Sequence, residues 1–415
     1  MTLADAVSAF VDCDFARETE FLAELVKVPS DNPPGDCAPH ATRASELLQR
    51  LGLAVEAHAV PRAAVEAAGM RSVTNLVVRR RFGAGPVIAL NAHGDVVPPG
   101  LGWRHDPYGA QIEQGPDGRV MYGRGVAVSK SDFATYAWAL LALEAAAAQG
   151  AALKGTVELH FTYDEEAGGI IGPKWLLDRG LSRPDAAIAA GFSYAVVTAH
   201  NGCLHLEVTV TGKQAHAAMP ETGIDALEAS TTILAALYAH RGELVQHRSG
   251  TPGIVAPTLN VGLIEGGINT NVVPDQVVFR IDRRMIPEED PAVVEAELRA
   301  LIAAAAQRHP CIKVDVRRLL MAEPLKPQPG TERIVAAIAR HAKRILGVEV
   351  PATGVPLYTD ARHYAAAGVP VVLYGAGPRS LLEANAHNAD ENLRLEDLRA
   401  ATKIVALAVA DLCAG

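Results

Sequence analysis

The chain alternates between short apolar runs and longer helical segments, and this alternation restricts it to a small group of folds. The run PVIALNAH (86–93) is almost wholly apolar, as expected of a strand buried on both faces. A second such run, GTVELHFTYDEE (155–166), follows a predicted helix over 130–148. Strands alternating with helices indicate an α/β fold with a mostly parallel sheet. In such sheets, functional sites form beyond the carboxyl ends of the strands.

The middle third of the sequence has a different pattern. The run CLHLEVTVTGK (203–213) alternates with period two, like a half-exposed strand. A predicted helix, two further strands, a second helix and a last strand follow it. The order β-α-β-β-α-β is the ferredoxin-like pattern. We therefore predict an inserted α+β domain over 199–320 and an α/β domain formed by 1–198 plus 321–415.

Composition excludes several classes of partner. The net charge of −9 gives no reason to expect nucleic acid or an anionic membrane as a partner. No apolar stretch has the length of a membrane span, and the acidic N-terminus does not resemble a signal peptide. The five cysteines are scattered without paired spacing. They favour reduced thiols and a cytoplasmic location.

Candidate catalytic residues follow both apolar runs. In NAHGDVV, His93 and Asp95 share one face, so the carboxylate could orient a metal-bound imidazole; a histidine in a hydrogen-bonded turn is an equal alternative. In YDEEAGG, Asp164, Glu165 and Glu166 are adjacent. Neighbouring carboxylates at a buried strand end need a cation or a raised pKa, unless they form a solvated acidic loop.

Two further histidines are weaker candidates. His387 lies in NAHNADENL ahead of an acidic segment, and His216 lies in TGKQAHAAMP within the predicted inserted domain. If its motif stood alone, an N-capping or surface histidine would be the better explanation for His387, and a loop histidine is a fair alternative for His216.

Taken in order, the motifs resemble the M20 family of metallo-aminoacylases and peptidases, which includes acetylornithine deacetylase and succinyl-diaminopimelate desuccinylase. The resemblance covers nearly the whole chain. It is carried by VPSDNPPG, NAHGDVV, DPY, YGRG, DEEAGG, GKQAHAAMP, GGINTNVVPD, DRRMIP, TDAR and AHNADENL. It implies a catalytic α/β domain and a ferredoxin-like lid that also forms a homodimer.

The resemblance also implies roles for individual residues. His93, Glu166 and His387 correspond to metal ligands, Asp95 to an orienting carboxylate and Glu165 to the general base. The remaining correspondences are a lid histidine that stabilises an oxyanion, His216, and two substrate contacts, Asn271 and Arg362. An arginine suits a bidentate contact with a substrate carboxylate.

The sequence departs from the family pattern at two ligand positions. The family has GRG-x-x-D, whose aspartate bridges two zinc ions, but this chain reads GRGVAV and has Val128 there. A second acidic ligand is replaced by Gly191 in AIAAGFSYAV. Neither residue has a side-chain donor. The ion bound by His93 would keep one ligand of three, and the ion bound by Glu166 and His387 would keep two.

Three interpretations remain open at this point. His93, Glu166 and His387 could bind one divalent ion, zinc ahead of manganese or cobalt, with an open position for water. Asp132 could replace a missing ligand, although a carboxylate in the first turn of a helix is the favoured explanation. The protein could also be metal-free, with Lys130 supplying positive charge.

We therefore expect an amidohydrolase that cleaves a small N-acyl amino acid or dipeptide-like substrate bearing a carboxylate. The alternative is a metal-independent enzyme of the same fold, or a ligand-binding protein with a repurposed site.

Overall fold

The computed structural model describes residues 2–380 and 382–414. Within these residues, no helix combines the length and the apolar character that a membrane crossing requires.

The described residues form ten α-helices and fifteen strands. The helices are α1 (Leu3–Val26), α2 (Ala38–Arg50), α3 (Arg62–Ala67), α4 (Lys130–Ala148), α5 (Pro173–Asp178), α6 (Ala226–Leu244), α7 (Pro291–Ala306), α8 (Thr331–Leu346), α9 (Ala361–Ala366) and α10 (Leu395–Ala414). The strands are β1 (Val55–Ala59), β2 (Thr74–Arg81), β3 (Val87–His93), β4 (Gln111–Gly115), β5 (Gly118–Tyr122), β6 (Thr156–Thr162), β7 (Ala186–Ala189), β8 (Val196–His200), β9 (Gly202–Thr211), β10 (Thr258–Gly266), β11 (Gln276–Met285), β12 (Lys313–Ala322), β13 (Ala352–Val355), β14 (Val371–Leu373) and β15 (Asn392–Arg394).

The chain divides into two compact units. The first runs to Thr198 and resumes over Pro327–Thr353 and from Thr359 onward. The second comprises Ala199–Lys326 and Gly354–Tyr358.

The large sheet confirms the α/β prediction. Its eight strands are ordered β1-β2-β6-β3-β7-β14-β8-β13. The four neighbours β6, β3, β7 and β14 run parallel, whereas β1, β2 and β8 pair antiparallel toward the edges. The carboxyl ends of the four central strands therefore meet at one edge, where the sequence predicted the site.

The helix that follows the GRG segment is buried almost all round. Helix α4 matches the predicted range of 130–148 and packs against α1 and α10. Its Phe133 stacks on Phe161 of β6, with ring centroids 3.9 Å apart. Strand β6 leads directly into the carboxylates of YDEEAGG, so the packing of Phe133 on Phe161 helps to fix the position of those carboxylates.

The second unit has the ferredoxin-like order predicted from the alternating pattern. Its antiparallel sheet runs β10-β11-β9-β12, and its apolar core also includes residues of α6 and α7. Helix α6 begins where its N-cap Asp225 accepts hydrogen bonds from the amides of Leu227 and Glu228. Residues of β9 alternate between this core and the opposite face of the sheet.

Candidate metal and catalytic site

Parallel pairing of β3 with β6 brings the first candidates together. His93, the last residue of β3, lies opposite Thr162, the last residue of β6. The chain after β6 then turns through a short 3₁₀ helix, Glu165–Ala167. His93 and the two glutamates therefore leave the same edge of the sheet.

Glycines after the acidic run allow the chain to turn sharply. Gly168 and Gly169 have φ values of 109° and 67°, in the left-handed region. A Cβ on Gly169 would lie 2.2 Å from Asp360 Oδ1 and 2.7 Å from His363 Nε2. Only glycine fits here, so the turn that positions Glu165 and Glu166 depends on it.

The structure brings four of the predicted residues together. One ligand atom each from His93, Glu165 and Glu166 lie within 4.8 Å of one another. His93 Nε2 is 4.0 Å from Glu165 Oε2, and His387 Nε2 is 3.3 Å from Glu166 Oε1. Two imidazoles and two carboxylates therefore converge.

This donor set suits a divalent ion. Glu166 Oε1 is buried, and its described partner is the imidazole of His387 at 3.3 Å. Burying neighbouring carboxylates is costly, and a bound cation reduces that cost. Imidazole nitrogen and carboxylate oxygen are established zinc ligands. The residues present therefore fit one ion.

The electrostatics of the cluster also indicate a need for positive charge. Burial opposes a charge on His93, but the nearby carboxylates of Asp95, Glu165 and Glu166 hold the pKa of His93 well above its usual value. Burial raises the pKa of Glu165 to about 8, although the charges of His93 and Arg362 oppose this. The carboxylate of Glu165 therefore lacks enough nearby positive charge to offset its burial.

Asp95 contacts its neighbours differently from the prediction. His93 Nδ1 is 2.9 Å from the main-chain oxygen of Asp95, while the Asp95 carboxylate is farther, at 3.4 Å. That carboxylate instead accepts from the amides of Glu165 and Glu166, at 3.2 and 3.1 Å, and from Asn32 Nδ2 at 3.0 Å. Asp95 therefore positions both glutamates as well as the imidazole.

Asp164, the first residue of the acidic run, is buried away from this role. Its Oδ2 accepts from the amide of Ile171 at 2.7 Å. Burial and the neighbouring Asp360 raise the pKa of Asp164 well above its usual value. Asp164 therefore contributes to the loop rather than to the charged cluster.

A carboxylate that the sequence analysis did not single out positions the GRGVAV segment. Glu391 is fully buried and accepts from the amides of Ala127 and Val128, at 3.0 and 3.1 Å. Arg124 of GRG donates to its other oxygen at 2.6 Å. In the sequence, Arg124 of GRG and the two acids of AHNADENL, Asp390 and Glu391, are candidates for an ion pair. Only the fold shows that Arg124 pairs with Glu391.

The backbone at Gly191 lies too close to the neighbouring chain to carry the side chain of a metal ligand. A Cβ there would lie 2.7 Å from Leu373 C and Tyr374 N. The amide of Gly191 donates to Asp132 Oδ2 at 3.2 Å, and the amide of Ala376 donates to Asp132 Oδ1 at 2.7 Å. Both oxygens of Asp132 thus accept from the main chain, and among the described residues Asp132 is not part of the group of donor atoms around His93.

Lys130 is also engaged away from the cluster. Its Nζ donates to the main-chain oxygens of Leu25 and Val28, at 3.3 and 3.0 Å, at the end of α1. Burial lowers the pKa of Lys130 to about 7. Its hydrogen bonds therefore go to the end of α1, which argues against Lys130 supplying the charge of a missing ion.

Arg362 lies in the same unit and supports the glycine turn. Its guanidinium donates to the main-chain oxygen of Gly168 and, at 2.8 Å, to that of Thr359. The side chain is buried.

His216 and Asn271 belong to the second unit, where they lie on adjacent segments. The amide of Ala217 donates to the main-chain oxygen of Asn271 at 3.0 Å, and both His216 and Asn271 are exposed. His216 Nδ1 accepts from the amide of Ala218 at 3.0 Å. A neutral ring that accepts through Nδ1 carries its proton on Nε2.

Comparison with known proteins agrees with this geometry. The model of peptidase family M20/M25/M40 matches residues 89–411. The chain belongs to the M20 family. It is 30% identical over 353 residues to an acetylornithine deacetylase of Myxococcus xanthus, covering 84% of this chain and 86% of that protein. It is 29% identical over 343 residues to a succinyl-diaminopimelate desuccinylase of Acidiphilium cryptum, covering 80% and 84%.

Among solved structures, the di-peptidase Dug1p of Saccharomyces cerevisiae has the same fold. The comparison of this chain with that protein gives a TM-score of 0.78 and 15% sequence identity, and it covers 100% of both chains. M20 membership makes the protein a hydrolase that acts on amide bonds. Enzymes of the family are metal-dependent.

Restoring both missing acids should not restore a second ion site. We expect the Val128→Asp/Gly191→Glu double variant to bind no more metal than the wild type, because a side chain at 191 would collide with β14. Gly191→Glu alone should lower the free energy of unfolding by about 1–3 kcal/mol or more. Denaturant unfolding and metal analysis measure the two effects.

Gly242→Glu is the matched control, since a Cβ there meets nothing within 4 Å. It should unfold at a denaturant concentration close to that of the wild type. A double variant that is as stable as the wild type and gains one ion per chain would contradict this account of Gly191.

Proposed function

We propose that this M20 hydrolase cleaves the amide bond of a small N-acyl amino acid or a dipeptide-like substrate, using one divalent ion. The observation that carries the proposal is the convergence of His93, Glu165, Glu166 and His387 at one sheet edge. The named relatives, a deacetylase and a desuccinylase, support an acylated amino acid as substrate.

We assign the ion to His93, Glu166 and His387, and we favour zinc over manganese or cobalt. Two observations support a single ion. Val128 offers no side-chain donor, and the backbone at Gly191 leaves no space for one. A His₂Glu set with one open position is a known arrangement of catalytic zinc. When bound, such an ion polarises a carbonyl and lowers the pKa of water.

Glu165 is our candidate general base. Its carboxylate is largely buried and 4.0 Å from His93 Nε2, while its amide is fixed by Asp95 at 3.2 Å. The raised pKa of Glu165 lets the side chain exchange a proton near neutral pH. Glu165 would remove a proton from the attacking water and then return it to the leaving nitrogen.

His216 is our candidate for stabilising the tetrahedral oxyanion. Its Nδ1 already accepts a hydrogen bond, so the neutral ring presents an N–H at Nε2. Such a donor suits an oxygen on which negative charge develops.

We propose that Asn271 and Arg362 contact the substrate carboxylate. A guanidinium suits a bidentate contact with a carboxylate, and that of Arg362 lies beside the glycine turn, where it donates to the main-chain oxygen of Gly168. This specificity for a carboxylate agrees with the amino-acid derivatives named for the relatives.

Replacing the base separates its chemistry from metal binding. We expect Glu165→Gln to reduce kcat roughly 10²–10⁴-fold on a panel of N-acetyl and N-succinyl amino acids. Metal content and KM should change little, because the amide keeps the size of the side chain and our ligand assignment omits Glu165. Steady-state kinetics and metal analysis test both.

Glu20→Gln, on an exposed position of α1, is the control and should behave as the wild type. Wild-type turnover in Glu165→Gln would remove this residue from the mechanism.

Metal content tests the single-ion assignment. In protein purified without chelator, we expect Glu166→Gln and His387→Ala each to lose about one ion per chain relative to the wild type, as expected when one ligand of a three-ligand site is removed. EDTA should abolish turnover, and zinc should restore it.

A loss of two ions per chain in either variant would contradict the single site. Undiminished turnover in EDTA would instead support the metal-independent enzyme, and absence of both turnover and metal would support a ligand-binding protein.

We further propose a cytoplasmic homodimer that forms through the second unit. The edge strand β10, which exposes Leu263 and Ile264, supports the homodimer. The described cysteines form no disulfide, which agrees with a cytoplasmic location. An exposed apolar edge strand is suited to pairing with another chain.

We expect Ile264→Glu to convert the dimer to a monomer in sedimentation velocity, since a charge would be buried in the interface. Leu319→Glu, on the opposite edge strand β12, is the matched control and should remain dimeric. A monomeric wild type would refute the dimer.

A further inference from the structure

The second unit contains another group of metal-ligand side chains, separate from the candidate catalytic residues. Cys203 and His205 are two residues apart on β9, so both lie on the same face of the sheet. Asp282 of β11 is the direct cross-strand partner of His205. These three side chains, the β9–β11 cluster, therefore meet because of strand register alone.

The donor atoms of the β9–β11 cluster are spaced like the corners of one coordination site. His205 Nε2 is 3.2 Å from Cys203 Sγ and 3.2 Å from Asp282 Oδ2, and Cys203 Sγ is 3.9 Å from Asp282 Oδ1. Zinc–ligand bonds of about 2.0–2.3 Å in a tetrahedron place donor atoms about 3.4–3.6 Å apart. The distances involve both oxygens of Asp282, and they bracket these values. One donor atom of each residue lies within 4.8 Å of the other two, so binding one zinc ion requires small side-chain movements.

Hydrogen bonds among these three groups are available but weak at the thiol. His205 Nε2 faces both the thiol and the carboxylate. If the ring donates to Asp282 Oδ2, the thiol can donate to Asp282 Oδ1 only over a long distance of 3.9 Å. A cation placed between the three atoms satisfies the lone pairs of sulfur, nitrogen and oxygen together.

Arg284 holds the carboxylate of Asp282 in place. Its Nε donates to Asp282 Oδ1 at 2.9 Å, and its terminal nitrogen donates to Oδ2 at 3.0 Å. Carboxylates that bind metals are themselves hydrogen-bonded, which fixes their orientation. Arg284 offsets the charge of Asp282, so a Cys203 thiolate would leave the group with one net negative charge, which favours a cation.

We propose that Cys203, His205 and Asp282 bind a zinc ion that cross-links β9 to β11. The thiolate, imidazole and carboxylate match the ligand preferences of zinc, and Cys203 would release its proton to solvent on binding. The side chains of His205 and Asp282 are 35% and 31% exposed, so the ion and a water ligand can enter from solvent. This site is independent of amide hydrolysis.

Cobalt(II) provides a selective probe, because only a cobalt–thiolate bond gives an intense charge-transfer band in the near ultraviolet. The candidate catalytic ligands include no cysteine. The full-length protein is first given Cys13→Ser and Cys311→Ser, which removes the exposed thiols. After chelator treatment, titration with cobalt(II) should produce the band, and Cys203→Ser should abolish it.

Further variants assign the band to this cluster. The band should survive His93→Ala, which damages only the catalytic candidate, and it should be lost in His205→Ala. In His205→Cys, which keeps a zinc ligand, it should return. A protein that shows only the weak visible bands of cobalt bound to nitrogen and oxygen would overturn the proposal, and so would a band that persists in Cys203→Ser.

Thermal unfolding gives a second readout that does not depend on activity. In the His93→Ala background, added zinc should raise the Tm, since an ion that binds only the folded state stabilises it. Cys203→Ser should remove that increase, whereas Cys413→Ser, at another buried cysteine, should retain it. An equal increase of Tm with and without Cys203 would count against the site. Hydrolysis by Cys203→Ser should stay near the wild-type rate, so this outcome is separate from the proposed activity.

Discussion

The parallel pairing of β3 with β6 is the constraint on which the candidate catalytic site depends. It sets His93 opposite Thr162, so a histidine and an acidic turn that are far apart in sequence leave the sheet side by side. The Asp95 carboxylate then joins the two segments by accepting from the amides of Glu165 and Glu166. Beneath them, the stack of Phe133 on Phe161 fixes β6 against α4. Backbone pairing, a buried carboxylate and apolar packing thus determine one geometry together.

The same geometry buries several carboxylates side by side. Lys130 donates its hydrogen bonds to the end of α1 rather than to these carboxylates. His93 is held toward its charged form by the surrounding carboxylates, and burial raises the pKa of Glu165 despite the nearby charges of His93 and Arg362. Burial of carboxylates without compensation is costly. This cost is the physical reason to expect a bound cation here rather than a site assembled only from hydrogen bonds.

Much of this arrangement could be predicted from local patterns. Apolar runs predicted β3 and β6, and their flanking residues predicted which side chains would meet at the sheet edge. The bounds of α4 followed from its alanine-rich composition, and the period-two pattern predicted β9. The role of Glu391 could not be predicted, because its partners Ala127 and Val128 are main-chain amides that carry no sequence signal. The preference of His93 for the main-chain oxygen of Asp95 likewise depends on a turn whose angles no pattern specifies.

Asp132 and Gly191 show why counting acids is a poor guide to a metal site. Relative to the family pattern, the sequence lacks the acidic ligand at position 191 but has a carboxylate at position 132. This suggests that Asp132 replaces the missing ligand. In the structure, the carboxylate of Asp132 lies at the start of α4 and accepts from amides that follow β7 and β14. A Cβ on Gly375 would lie 2.0 Å from Asp132 Oδ1, so this position must be glycine for the carboxylate to fit. Asp132 therefore joins a helix to two strand ends through hydrogen bonds. Because the fold engages both of its oxygens, our proposal uses His93, Glu166 and His387, and not Asp132, as the donors for an ion.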